Sequence, residues 1–467
     1  MRSMTIVISF IFFLITFVLV GIYSATRRKT TTEDYLVASR SVGPWLMGLS
    51  AVATNNSGYM FIGLIGWTYA VGISAMWIMV GWIGGDYLAW RWVHRHVRTR
   101  SQEENWLTVP SFLGDGLNGR HEWVVRLSAI ILLVFLGIYA AAQLKAGSKA
   151  LHVLFGWDIS LGAIIGAVIV VLYCFAGGIR ASIWTDALQA VLMLVSMAML
   201  LFVAEENIGG FGALWPRLIE IDPNLVNFIP RDIKFGFAAY LMGWMFAGFG
   251  VVGQPHIMVR AMVIDDADHL VKARRIYFIW YVLFSAACIA VGLTARVLLA
   301  AGPDFDAELA LPQLSVELLP SILVGLVLAG LFSATMSTAD SQILSCSAAV
   351  TQDMFPRWRN SYWIAKAGTL GVAALVLGIA LAGSANVFSL VVLAWSALAA
   401  ALGPLMVVRA FRWPVDARTG LSMILVGLAC MLFWRFGLGL SGSLFEGLPG
   451  MLGGFLVYYV LRPRQLV

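Results

Sequence analysis

The chain has 467 residues, of which 60% are hydrophobic and 12% charged, and a formal net charge of +6. Soluble chains carry about twice that charged fraction, so a soluble enzyme is excluded. A nucleic-acid-binding role is excluded too, because the basic residues sit at the ends of apolar runs, where membrane topology accounts for them.

In chain order, the apolar runs predict about 13 spanning helices at 4–24, 43–65, 68–93, 123–148, 158–177, 182–204, 236–259, 275–300, 319–345, 362–383, 386–408, 419–436 and 447–461. The runs are continuous and do not alternate, which argues against a spanning barrel. No hydrophilic block is long enough for a soluble domain, so residues 1–467 read as one all-α polytopic domain. The first run is too long for the apolar part of a signal peptide and lacks a small-residue cleavage site. Segments 30–42 and 101–121 read as interfacial pieces. With the N-terminus outside, 22 of the 31 Lys and Arg fall in inner segments, Arg260 and Arg464 among them. The outer loops around Glu205–Asn224 and 301–313 are acidic. That alternation predicts a multi-pass cell-membrane (inner-membrane) protein with a cytoplasmic C-terminus. Cys174, Cys288, Cys346 and Cys430 all lie in apolar runs and read as packing residues.

The polar groups inside spans carry the functional signal. In SAVATNNSGYMFIGLIG (50–66), Thr54, Asn55, Asn56, Ser57 and Gly58 interrupt an apolar run. Such groups suit a helix that unwinds, and unwound backbone survives in a membrane only when buried in protein or lining a cavity. Asp86 and Asp186 are intramembrane acids, each with a structural reading (a pair with a nearby arginine, Arg180 for Asp186) beside a functional one. In FSATMSTADSQILSCSAAVTQD (332–353), Ser333, Ser337, Thr338, Ser341 and Ser345 recur at helical spacing. Close helix packing explains the serines but not Asp340 among them. Hydroxyls with a carboxylate make a hard-oxygen set suited to sodium. Gly248, Gly250, Gly253 and Pro255 predict a second loosened helix across 244–260.

At this point the chain resembles the sodium:solute symporter family with its leucine-transporter-like core of ten helices in an inverted repeat. EDYLVASRSVGPW, SAVATNNSGYMFIGLIG, GGIRASIWTDALQ, GQPHIMVR and SATMSTADSQILSCSAAVTQD carry the likeness, nearest the proline and pantothenate branch. The resemblance implies a core over about 43–408, with 4–24, 419–436 and 447–461 peripheral, and a sodium-coupled symporter importing a small organic solute by alternating access. It implies a main sodium site from the carbonyls of Ala53, Asn56 and Ala334 with the hydroxyls of Ser337 and Thr338, so Na+ is the coupling ion. It places Asp186 near a second cation position with Ser341 alongside; Asp340, an acid where the family has a small or hydroxyl residue, is grouped with them as a further coupling candidate. It puts Asn55, Ser57, Gly58, Tyr139, Trp244, Ala247, Val251 and Gln254 at the solute.

Two departures follow. The proline branch has an acid at the position of Asn55; Asp340 is expected either to carry the relocated charge or to pair with a neighbouring helix. The branch also has aromatic residues where this chain has Ala247 and Val251. Trp244, one turn earlier, stands in part for them. The expected solute is another amino acid, a carboxylate or a related metabolite, in a roomier pocket. The competing readings are a transporter-like solute sensor and a membrane aspartyl protease built on Asp186 and Asp340. No catalytic triad, metal motif or phosphate loop is legible.

Overall fold

A computed structural model describes residues 2–116, 119–231, 233–299, 305–359, 361–382 and 387–463. Arg464, residues 301–304 and the span edges at 300, 383 and 386 lie outside the described residues.

The chain is a bundle of helices, because in hydrocarbon each backbone polar group must be paired within its own segment. Among the described residues ten helical stretches are long and apolar enough to cross a membrane. The expected count of about 13 is not reproduced by that measure, and the reason is physical. Helix breaks shorten some spans, while other spans run on without a loop. Residues 158–177 and 182–204, expected as two spans, form the single helix Ile159–Ile208 with one kink. The final helix, Gly447–Leu461, has only 15 residues.

The kink is at Gly178, whose φ of 58° and ψ of −143° no other residue adopts cheaply. A Cβ there would lie 2.4 Å from the carbonyl oxygen of Tyr35. The segment Thr32–Val37 therefore docks directly against the bend. Arg180, two residues on, pairs with Asp34 at 2.5 Å and donates to the carbonyl of Ala38 at 2.9 Å. This corrects the expected pairing of Arg180 with Asp186.

Two spans are broken near their middles. The first comprises Pro44–Asn55, an interruption at Asn56 and Ser57, then Tyr59–Leu64 as a π-helical turn and Ile65–Val71. The second comprises Gly236–Phe249, a tighter turn over Gly250–Gly253, an extended Gln254 and Pro255–Val263. The prolines at positions 44 and 255 each open a half-helix, where a missing N–H costs nothing. At one end of the bundle Val42 pairs with Ile264 in an isolated parallel bridge, tying the two broken spans together.

The helix Ser321–Ala348 runs through the centre and is buried over most of its length. It packs against Ile159–Ile208, Glu122–Phe155 and Arg2–Ala25. Met76–Trp92 crosses Gly236–Phe249 at glycine contact: a Cβ on Gly85 would lie 1.7 Å from the carbonyl oxygen of Met245, and one on Gly248 1.8 Å from that of Trp82. This close approach brings Trp82 and Trp244 face to face.

Gly178→Ala is expected to lower the thermal stability of the detergent-purified protein by about 1–3 kcal/mol, the range for an enforced backbone outlier. Unchanged melting would show that the bend tolerates a Cβ.

Candidate functional site

The first half-helix ends at Asn55, and Asn56 leaves helical geometry with ψ at 74°. Ending there releases the last carbonyls of the helix, which need donors or a cation. The structure brings the face of Ser321–Ala348 to meet them. Ser337 Oγ donates to the carbonyl of Ala53 at 3.1 Å and Thr338 Oγ1 to that of Thr54 at 2.9 Å. The same hydroxyls lie 3.3 and 3.1 Å from the carbonyl oxygen of Ala334. Ala53, Ala334, Ser337 and Thr338 are therefore gathered at one point, all buried. Asn56 is buried at the break, and its amide donates back to the carbonyl of Val52 at 2.9 Å. The oxygens converging here are carbonyls and hydroxyls without net charge, a donor set that fits a weakly bound monovalent cation such as sodium.

A charged network continues from this point. Thr54 Oγ1 lies 3.3 Å from both Asp186 Oδ2 and Ser341 Oγ. Asp186 Oδ2 accepts from Ser50 at 2.7 Å and from the Arg260 guanidinium at 3.1 Å. Arg260 also donates to Ser182 at 2.9 Å, to Ser341 and to the carbonyl of His256 at 2.7 Å. Asp340 accepts from Tyr173 at 2.8 Å, from Ser182 at 3.0 Å and from Ser341 at 2.7 Å. Asp186, Asp340 and Ser341 are thus one cluster, but with a guanidinium among them. Arg260 is 1% exposed. This corrects its assignment to an inner loop: it is a buried counter-ion, and it lay hidden because an arginine at the end of a span reads as topology. Asp340 is hydrogen-bonded by Tyr173 and Ser182 of a neighbouring helix.

The expected solute residues lie on the other side of the break. Tyr139 donates to Ser57 Oγ at 3.3 Å, and the Gly58 N–H donates to Gln143 Oε1 at 2.9 Å. Tyr139 meets His256 edge-on at 5.8 Å. Trp82, absent from the expectations, stacks on Trp244 at 5.9 Å and also touches Tyr59 and Trp395. Trp395 Nε1 donates to the carbonyl of Ala247 at 2.8 Å, and Gln254 Nε2 donates to the carbonyl of Trp395 at 3.0 Å. Trp395, from a distant helix, thus ties the backbone at Ala247 to the side chain of Gln254. Both ring nitrogens of His256 and Oε1 of Gln254 are buried without a partner, as is Nε2 of Gln143. Orphaned polar atoms around an aromatic box are what a solute with hydrogen-bonding groups satisfies.

With this geometry in view, comparison with known proteins decides the class. The sodium:solute symporter family profile matches residues 35–427. This chain belongs to the sodium:solute symporter family. The sodium/proline symporter of Escherichia coli (strain K12) is 30% identical over 469 residues, covering 97% of this chain and 91% of that one. The high-affinity proline transporter PutP of Bacillus subtilis (strain 168) is 30% identical over 450 residues, 94% of each chain. Among solved structures, a Na+-coupled sialic acid symporter in a substrate-bound outward-open state superposes with a TM-score of 0.83 at 17% identity, covering 99% of both chains. Mhp1, a nucleobase-cation-symport-1 family transporter in a closed conformation, gives 0.60 at 16% identity, covering 91% of this chain and 92% of that one. The symporter thus has the leucine-transporter-like fold, is a multi-pass membrane protein, and is a sodium-coupled solute symporter with Na+ as coupling ion.

Removing one partner of a buried ion pair strands the other, at a cost of about 3–5 kcal/mol. Arg260→Leu is expected to lower thermal stability on that scale, and Arg260→Leu combined with Asp186→Asn to recover much of it. A single variant as stable as the parent would show that the pair contributes nothing.

Proposed function

We propose that this symporter imports a small amino acid or related carboxylate by alternating access, with sodium held by Ala53, Asn56, Ala334, Ser337 and Thr338. The observation that carries the reading is the meeting of the Ser337 and Thr338 hydroxyls with the carbonyls freed at the end of the first half-helix. A sodium ion placed among these oxygens replaces hydrogen bonds that are otherwise made between the two helices, so its binding fixes the position of one against the other. The solute then occupies the space between Asn55, Ser57, Gly58, Tyr139, Trp244, Ala247, Val251 and Gln254, next to the same break. By linkage each ligand raises the affinity of the other by the same factor.

Access follows two openings. On one side a cavity of about 340 Å³ is lined by Trp67, Tyr240, Trp244, Phe445 and the paired Arg435 and Glu446. Trp244, stacked on Trp82, lies between this cavity and the solute position. On the other side a narrow crevice passes Thr108, Pro110, Pro255 and Val259 and ends at Arg260 and Ser341. The charge pattern favours the first side as external. Next to the second, Arg40 donates to the carbonyls of Trp106 and Met262 and Arg98 to that of Ile264, as basic residues gather at a cytoplasmic face. This orientation places the N-terminus outside and the C-terminus in the cytoplasm.

An inward sodium gradient supplies about 2.3 kcal/mol per charge for each 100 mV of membrane potential. Proteoliposomes loaded without sodium are expected to accumulate a labelled amino acid from a panel that includes proline only when sodium is outside, and more strongly with the interior negative. The double variant Ser337→Ala/Thr338→Ala is expected to raise the sodium concentration for half-maximal uptake tenfold or more, about 1.4 kcal/mol. A sodium requirement that is unmoved in this variant would place the coupling ion elsewhere.

A further inference from the structure

The end of the first half-helix has two faces. One meets Ser337 and Thr338. The other turns Asn55 toward Met76–Trp92 and Leu270–Leu298, where it meets Asp86 and Tyr277. Asp86 Oδ2 accepts from the Tyr277 hydroxyl at 2.6 Å and from Asn55 Nδ2 at 3.3 Å. Asn55 Nδ2 also donates to the Tyr277 oxygen at 2.5 Å. The three side chains form a closed triangle.

The triangle leaves two acceptors over. Asp86 Oδ1 and Asn55 Oδ1 are both buried with no hydrogen-bond partner. Asp86 is fully buried and Asn55 is 8% exposed. Among the described residues no Lys, Arg or His forms an ion pair with Asp86. A carboxylate in that position costs several kcal/mol unless a cation joins it. The two oxygens that lack donors belong to the two side chains already oriented by Tyr277. That phenol is itself held by ring contacts with Trp90 at 4.8 Å and Tyr281 at 5.7 Å. Asn55 is also the last residue of Pro44–Asn55, so it stands at the negative end of that helix dipole. A carboxylate oxygen, an amide oxygen and a helix C-terminus are hard, negatively polarised ligands, and all three suit a small monovalent cation.

We propose that Asp86 and Asn55, positioned by Tyr277, form a second sodium position on the opposite face of the broken helix from Ser337 and Thr338. The position differs from the Asp186–Asp340 cluster, whose charge Arg260 already offsets in part. It gives the acid of Met76–Trp92 a role that a structural pairing does not supply, since neither of its donors carries charge. Two sodium ions on opposite faces of one helix end would hold the break from both sides. The proposal deepens the sodium-coupled reading and can fail separately from it, because the two positions share no side chain.

Binding of radioactive sodium to the full-length purified protein, measured without solute, tests this. Asp86→Asn is expected to bind half as much sodium at saturation as the parent. Ser337→Ala/Thr338→Ala should also bind half, and the combination none. A full complement in Asp86→Asn overturns the proposal, whereas a full complement in Ser337→Ala/Thr338→Ala overturns only the first sodium position. Should Asp86→Asn fail to fold, the exchange variant Asn55→Asp/Asp86→Asn decides. It returns a carboxylate to the same contact and is expected to bind the full complement; half the complement counts against the site. A solute ammonium group is the other source of positive charge. If Asp86→Asn keeps all its sodium but loses proline-dependent protection against thermal unfolding, the carboxylate receives an amine and the sodium assignment is overturned.

Discussion

The structure depends on an unpaid hydrogen-bonding obligation at mid-membrane. Ending a helix at Asn55 frees carbonyls that water cannot reach, and each unsatisfied group in hydrocarbon costs several kcal/mol. Ser337 and Thr338 meet that need from the central helix. Two short hydroxyl side chains one position apart reach adjacent carbonyls, Ala53 and Thr54, while still lying within reach of Ala334 in their own helix. The freed carbonyls are thereby satisfied within the protein itself.

The second constraint is charge. Asp186, Asp340 and Arg260 are buried together and hydrogen-bonded by Ser50, Ser182, Ser341 and Tyr173, while Asp186 Oδ1 is left without a partner. These residues come from both broken spans, from the long kinked helix and from the central helix. A network shared by four elements couples them more rigidly than apolar packing does, because each hydrogen bond has a direction as well as a distance. It sits beside the crevice that ends at Arg260 and Ser341. The Arg260–Asp186 pair thus ties the second broken span to the kinked helix at the end of this crevice.

The aromatic contacts differ in kind: Trp82 stacks on Trp244 and leans at a tilt against Trp395, and the crossing that brings the first two together is made possible by Gly85 and Gly248. Aromatic contacts are less directional than ion pairs, so rings can slide apart with modest cost. The peripheral helices take part as well. Arg435 and Glu446 join the ends of the last two helices to each other, and they hold Ser389 and Ser396 of the neighbouring span. The segments around Arg435 and Glu446 thus form part of the wall of the cavity beside Trp244.

Much of this was legible in the residues. Long apolar runs dictate helices in a membrane, and a cluster such as Thr54–Asn56 within one is affordable only at a break. The periodic hydroxyls of 333–341 define a face without reference to a neighbour. Period and polarity are local properties, so the broken span, the hydroxyl face and the glycine-loosened second span could be read directly. Pairing is not local. Arg260 reads as a topological charge until the fold brings Asp186 to it across 74 positions of chain. Trp395 has no legible role until its indole N–H reaches the carbonyl of Ala247. Asp86 reads as an acid that could pair with a nearby arginine until Asn55 and Tyr277 close on it. Sequence alone determined that costly oxygens lie in an apolar interior, because composition and spacing are visible residue by residue. Only the tertiary structure decided which charge each oxygen answers to, because electrostatic energy depends on distances that chain order does not contain.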